Sequence, residues 1–329
     1  MPVSFGALRF NTDSNKLELY DGNQWTEIVA SSPDSQTGGA RGLFGGGILY
    51  PATLYNIIDY VTISTTGNAI DFGDLTSVAV WPGSALGSRT RGIWAGRETP
   101  SLDNRIDFVT ISSTGNAQDF GDLVVTLSSG ITSGASNSTR GLIAGGAGGS
   151  GNTIQYITMA STGDSVDFGD LSAAKYAVSC LASSTRGVFG GSAPAYTNTI
   201  EFVTISTLGN SADFGDLSVG AANGSGTSNA IRGLFTIGLT PLTNAIEYIT
   251  IATLGNSTDF GDTTQARFYG SSVASSTRGL YAGGAPSPAA DFNIIDYVSI
   301  MSTGNAVDFG DLTTARRGMG GISNGHGGL

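Results

Sequence analysis

Asp71-Phe-Gly-Asp74 is a phrase the chain repeats at Asp119, Asp167, Asp213, Asp259 and Asp308, with spacings of 46 to 49 residues. An Arg-Gly pair followed by an apolar residue keeps step with it, at Arg41, Arg91, Arg140, Arg186, Arg232 and Arg278. Two markers in fixed phase divide residues 41–329 into six like units. Leucine-rich and tetratricopeptide units are shorter than this period, whereas propeller blades of about 40–50 residues match it.

Each unit predicts four short strands. The first carries the Arg-Gly pair and ends in glycines, as in Arg41-Gly-Leu-Phe-Gly-Gly-Gly47. The second alternates β-branched and aromatic residues, as in Ile58-Asp-Tyr-Val-Thr-Ile63 and Ile106-Asp-Phe-Val-Thr-Ile111, which is the strand signature. A turn follows at Gly67-Asn68, Gly115-Asn116, Gly163-Asp164, Gly209-Asn210, Gly255-Asn256 and Gly304-Asn305; Gly and Asn tolerate the positive φ of tight turns. The third strand ends in Asp-Phe-Gly-Asp. The last is made of small residues, as in Tyr176-Ala-Val-Ser-Cys-Leu-Ala-Ser183, and small side chains suit the crowded innermost strand of a blade.

The ends are out of phase in an informative way. The first unit begins on its Arg-Gly strand and lacks a small-residue strand, while Ala315–Leu329 aligns without gaps on Ala266–Leu280 and supplies one too many. A ring in which the last strand completes the first blade removes both mismatches and leaves no open sheet edge. The expected fold is all-β: a six-bladed β-propeller over 41–329, a linker over 34–40 and a short β-meander over 1–33.

Composition agrees. Of 26 acidic residues 21 are Asp, and of 15 basic residues 13 are Arg. Seven Glu plus Lys cannot furnish the solvent faces of many helices. The net charge of −11 argues against a nucleic-acid partner, which needs Lys/Arg stripes. One Cys, Cys180, and one His, His326, exclude a disulfide framework and argue against a His- or Cys-based catalytic or metal site. Cys180 is expected to be a small buried residue and His326 a solvated one. No 18-residue apolar run predicts a membrane span, and the N-terminus lacks the basic and apolar regions of a signal peptide.

The unit resembles a kelch repeat. Gly45-Gly46, Gly145-Gly146, Gly190-Gly191 and Gly283-Gly284 match its Gly-Gly ends. Tyr60, Phe108, Tyr156, Phe202, Tyr248 and Tyr297 match its Tyr. Phe72, Phe120, Phe168, Phe214, Phe260 and Phe309 stand where a kelch blade has Trp, and the second and fifth units lack Gly-Gly. Residues 7–28 resemble a different thing, a short segment of bacteriophage tail-fibre and other virion proteins, through Asn11-Thr12, Asn15-Lys-Leu-Glu18, Tyr20-Asp-Gly22 and Trp25. Together the resemblances imply a non-enzymatic virion structural protein, a tail fibre, adhesin or decoration subunit, assembled in the host cytoplasm. They also imply residues 1–33 attaching to other virion proteins or joining copies in a homo-oligomer, and no cofactor. Two other readings stay open: a bacterial kelch-like interaction or lectin-like module, and a sialidase-like enzyme suggested by Ser-x-Asp-x-Gly at Ser165, Ser211 and Ser257.

Six copies of Asp-Phe-Gly, with no phosphate loop or catalytic loop, are read structurally: Phe fills space between blades while Gly and Asp shape a turn. The paired carboxylates lack the flanking ligands a hard cation needs, so no metal is expected. The recurring Arg and Asp predict one ion pair per unit. Binding is expected where the repeat varies most, the loop after the Gly-Gly strand. From the Gly of Arg-Gly to the Asn before the next strand it spans 14, 12, 11, 11, 11 and 14 steps. In a closed ring the three longest loops, of units six, one and two, are neighbours. They bring Tyr50, Tyr55 and Phe292 into one arc beside Arg97 and Glu98, a set suited to a glycan or a protein hot spot.

Overall fold

The computed structural model describes residues 3–11, 16–27, 40–79, 84–97, 101–126, 134–146, 151–239 and 242–329. The chain divides into two compact units, Met1–Gln36 and Thr37–Leu329. The small unit is a three-stranded antiparallel sheet of Leu8–Asn11, Lys16–Tyr20 and Trp25–Glu27. Its second turn is fixed by Asp21, whose Oδ1 accepts the amides of Asn23 and Gln24, and these bonds hold the Asp21 carboxyl below its usual range. The predicted turn at 12–15 and the linker at 34–39 lie outside the described residues.

The larger unit is all-β. Among the described residues it has no helix and holds six four-stranded antiparallel sheets in a propeller-like arrangement. In sheet order, the inner strands are Gly320–Ser323, Ser84–Gly87, Ala135–Ser136, Ser179–Ala182, Gly226–Ser228 and Ser271–Ala274. The Arg-Gly strands Arg41–Gly45, Arg91–Arg97, Arg140–Ala144, Arg186–Ser192, Arg232–Thr236 and Arg278–Ala282 come next. The aromatic strands follow, then the Asp-Phe-Gly-Asp strands at the outside. Sheet one takes its inner strand from the far end of the chain, with Gly320 opposite Gly45 and Ser323 opposite Gly42.

Asp-Phe-Gly-Asp lies in the outer strand of each sheet, as expected, but its Gly and Asp belong to a bulge in that strand rather than to a turn. Asp59 faces Asp71 and Ile58 faces Gly73, so Phe72 is the extra residue. The same shift recurs in the other five sheets. A bulge re-aims a side chain, and here it drives the Phe inward, edge-on to the aromatic of its own sheet: Tyr60–Phe72 and its five counterparts lie 5.8–6.1 Å apart at 76–81°. Gly is required next. Gly121 has φ +148°, and a Cβ there would stand 2.5 Å from the backbone of Gly163.

The predicted Gly-Asn turns also do more than reverse the chain. The Gly115 and Ala117 amides donate to Phe72 O and Asp74 O, and the Asp74 amide donates to Asn116 Oδ1. Each turn therefore caps the outer edge of the preceding sheet. Sheet one caps sheet six in the same way: Gly67 and Ala69 bond Phe309 O and Asp311 O, and Asn68 accepts from Asp311.

The six recurring arginines correct the ion-pair expectation. Among the described residues none pairs with a carboxylate. Each guanidinium lies 4.3–4.9 Å from the centre of its own sheet's aromatic ring. Each also donates through Nη1 to the carbonyl closing the aromatic strand of the next sheet: Arg41 to Ile111, Arg91 to Met159, Arg140 to Ile205, Arg186 to Ile251, Arg232 to Ile300 and Arg278 to Ile63. A planar cation on an aromatic face, with a charge-assisted bond to a carbonyl, is work for Arg and not Lys. Arg140→Ala is expected to cost about 2 kcal/mol and to lower the melting temperature by roughly 4–8 °C. Arg140→Lys should recover less than half of that, read by thermal denaturation followed by circular dichroism.

The acid before each aromatic is buried and ties adjacent sheets. Asp59, Asp107 and Asp296 accept from the hydroxyls of Thr313, Thr76 and Thr264 of the preceding sheet at 2.6–2.7 Å. Glu201 and Glu247 take the amides of Ser172 and Ser218. Four of the ion pairs among the described residues form here and use non-repeated cations: Arg316–Asp59, Arg97–Asp107, Lys175–Glu201 and Arg267–Asp296. Burial pushes Lys175, Arg267 and Arg316 below their ordinary values. In sheet three the acid is replaced by Gln155, which bonds both the amide and the carbonyl of Val125.

Candidate functional site

The long loops of sheets one and six meet. The amide of Tyr50 donates to Asp291 Oδ2 at 2.6 Å, and Arg317 pairs with Asp291 Oδ1 at 2.5 Å. The Arg317 guanidinium lies 5.6 Å from the centre of the Tyr50 ring and 5.8 Å from that of Phe268. It also donates to Pro288 O. One buried cation thus gathers two loops and the segment entering the last inner strand.

The five residues expected at this arc fare differently. Tyr50 is 49% exposed. Tyr55 is half-buried; its amide bonds Gly47 O and its carbonyl accepts from Ala79. Phe292 is half-buried beneath the guanidinium of Arg267, 5.6 Å from the ring centre. Arg97 is buried within its own sheet, paired with Asp103 and Asp107 and donating to the Ser77 hydroxyl. It offers no surface to a ligand, because the acid beside it is the buried inter-sheet acid and needs a cation. Glu98 lies outside the described residues.

Sequence reasoning missed Asp291, Arg317 and Phe268. The adjacent Arg316-Arg317 was the available signal: the chain has no other Arg-Arg, and its two members pair with carboxylates of different sheets. The serines of Ser-x-Asp-x-Gly are spent on the buried acid position, Ser165 on Gln155, Ser211 on Glu201 and Ser257 on Glu247.

A second region lies among the inner strands. A cavity of about 40 Å³ is lined by residues of all six, including Ala85, Ser136, Cys180, Gly226, Ser272 and Ile322, and has room for a few waters only. Serines stitch these strands together. Ser136, Ser228, Ser272 and Ser323 donate to Gly87 O, Ala182 O, Gly226 O and Ala274 O. His326 corrects its expectation: it is half-buried at the end of this cavity. A larger recess of about 210 Å³ at the second sheet's outer hairpin is lined by Phe108, Thr110, Ser113, Asn116 and Gln118 among others, without a titratable side chain.

Among the described residues no group of three or more His, Cys, Asp or Glu could hold a metal ion, and no helix is long and apolar enough to cross a membrane. No family model matches the chain, and no curated protein matches it.

Proposed function

We propose that the chain is a non-enzymatic structural protein of a bacteriophage particle, a closed six-bladed kelch-like propeller carried on an N-terminal attachment sheet. The observation that carries the functional part is the two-faced character of that sheet. One face is internally satisfied: Arg9 pairs with Glu18 at 2.7 Å and stacks on Trp25, Asn11 donates to Glu18, and Tyr20 packs on Trp25. The other bears Leu8 and Phe10, 60% and 58% exposed, with Leu19 opposite Leu8 and the 81% exposed Phe5 nearby in sequence. Three short strands of so few residues bury too little apolar surface to be stable alone in water. The face is built to be covered, by another copy or by another virion protein.

Closure is supported by the pairing of Gly320–Ser323 with Arg41–Gly45 and by the recurrence between sheets six and one of every link that joins the others. A closed ring has no edge to template aggregation, which suits a particle protein present at high local concentration. In this reading the propeller presents the Tyr50 arc to a host-surface glycan or to a virion neighbour.

The test is removal of residues 1–33. The expected result is a propeller with an unchanged melting temperature that no longer enters particles in a complementation assay. Normal incorporation would remove the attachment role.

A further inference from the structure

Residues 325–329, Gly-His-Gly-Gly-Leu, follow the last inner strand and lie across the end of the central channel. Their contacts come from several sheets. His326 Nε2 lies 2.9 Å from Gly87 O, the final residue of the inner strand of sheet two. The Gly327 amide donates to Ser228 O of sheet five at 2.9 Å. The Gly328 amide donates back to His326 Nδ1 at 3.2 Å.

The fit is selective. A Cβ on Gly327 would meet the carbonyls of Asn229 and Ala182, and one on Gly328 would meet Ser136 O, all well inside contact distance. A rim of carbonyls at the ends of the inner strands therefore admits two glycines and one hydrogen-bond donor ring. This is how a backbone-lined site chooses a peptide: by donors and by the absence of side chains.

The histidine is held in one protonation state. Nε2 donates to a carbonyl and Nδ1 accepts from an amide, which fixes a neutral imidazole with its proton on Nε2. Adding a proton to Nδ1 would set two N–H groups against each other. The elements packed against the ring give the cation nothing in return. Sheets two, three and five present Gly87, Ser136 and Ser228; the titratable or charged groups that face it are Arg89, of like charge, and the Cys180 thiol further along the cavity.

We propose that the end of the channel is a peptide-binding site, occupied by the chain's own Gly325–Leu329, and that protonation of His326 releases the occupant. Burial holds the imidazole below its ordinary value of 6.5, the bond to Gly87 O opposes that shift and Arg89 adds to it. A free segment takes up its proton at the ordinary value and the seated one at a lower pH. Occupancy is therefore full above about pH 7.5 and weakens about tenfold per pH unit below 6.5, until the seated imidazole itself titrates.

His326 is the sole histidine, so its ring resonances are unambiguous by NMR. The expected result is a titration midpoint below 6.5, with amide-exchange protection of Gly327, corrected for intrinsic rates, falling about tenfold per unit of acidification. His326→Gln keeps a donor for Gly87 O but cannot titrate, and should hold that protection to pH 5. Gly328→Ala should unseat the segment at pH 8 while the propeller's melting temperature stays within a few degrees, and should return the His326 midpoint to about 6.5. The synthetic peptide Asn-Gly-His-Gly-Gly-Leu should then bind the Gly328→Ala protein at pH 8 and about tenfold more weakly at pH 5.5. A native midpoint at or above 6.5, Gly327 protection unmoved through the titration, or loss of protection in His326→Gln equal to the native chain's would each overturn the proposal.

Discussion

Removing residues 315–329 is expected to leave no folded protein at 37 °C. The segment supplies the inner strand of sheet one, and Met319 and Ile322 are buried in the apolar clusters on its two sides. Losing two such side chains costs about 2–5 kcal/mol each. The deletion also takes away Arg316, leaving Asp59 buried without its cation, at about 3–5 kcal/mol. Gly320 O goes with it, the acceptor of the buried Trp94 indole at 2.9 Å, at about 1–3 kcal/mol. These losses equal or exceed the roughly 5–15 kcal/mol by which a domain is stable. Deleting 325–329 alone spares every one of these groups and should leave melting within a few degrees. Thermal denaturation with size-exclusion chromatography on both truncations distinguishes the strand from the segment beyond it. A 315–329 deletion that melts like the full chain would remove the closure model.

The spacing of two short phrases was enough to place the sheets, their order and the exchange of the last strand. Those features follow from local chemistry: β-branched alternation, small inner residues, and a phase mismatch at the ends. What the phrases do was less legible. Arg41 finds its acceptor at Ile111, and a carbonyl carries no side-chain signature in sequence. The recurring Asp tempted a pairing with the recurring Arg because both repeat, yet the buried acids are partnered by Arg97, Lys175, Arg267 and Arg316, which lie in the variable segments. Loop length correctly predicted that the Tyr50 and Phe292 loops would meet, since Tyr50 bonds Asp291. It could not predict exposure. Arg97 is buried because the buried carboxylate of Asp107, on the adjacent strand, needed it. His326 stands in the phase of Thr277, which is exposed, so the period itself predicted a solvated residue there.

Gln155 gives an internal control for the charge in the inter-sheet link, and it makes the Arg316–Asp59 pair testable. In sheet three the amide serves without any cation, accepting from the Val125 amide and the Ser165 hydroxyl and donating to Val125 O. Glu247 keeps a carboxylate and satisfies it with the Ser218 amide and hydroxyl and the Ser257 hydroxyl. Hydrogen bonds, not net charge, are what the position demands. Arg316 is fully buried, donates to Phe44 O and lies 3.1 Å from Asp59 Oδ2. Removing either partner strands the other's charge. Arg316→Met is expected to cost about 3 kcal/mol, softened by the two bonds Thr313 gives Asp59, and Asp59→Asn about 3–5 kcal/mol. The double variant restores a neutral site of the kind sheet three already has, and should lie within about 1.5 kcal/mol of the native chain, because well-packed neutral replacements of buried pairs are often near neutral. The double-mutant cycle should then show several kcal/mol of coupling, measured by chemical denaturation. If the two single losses simply add, the pair is not the unit that closes sheet six onto sheet one, and the Thr313 bonds alone hold that seam.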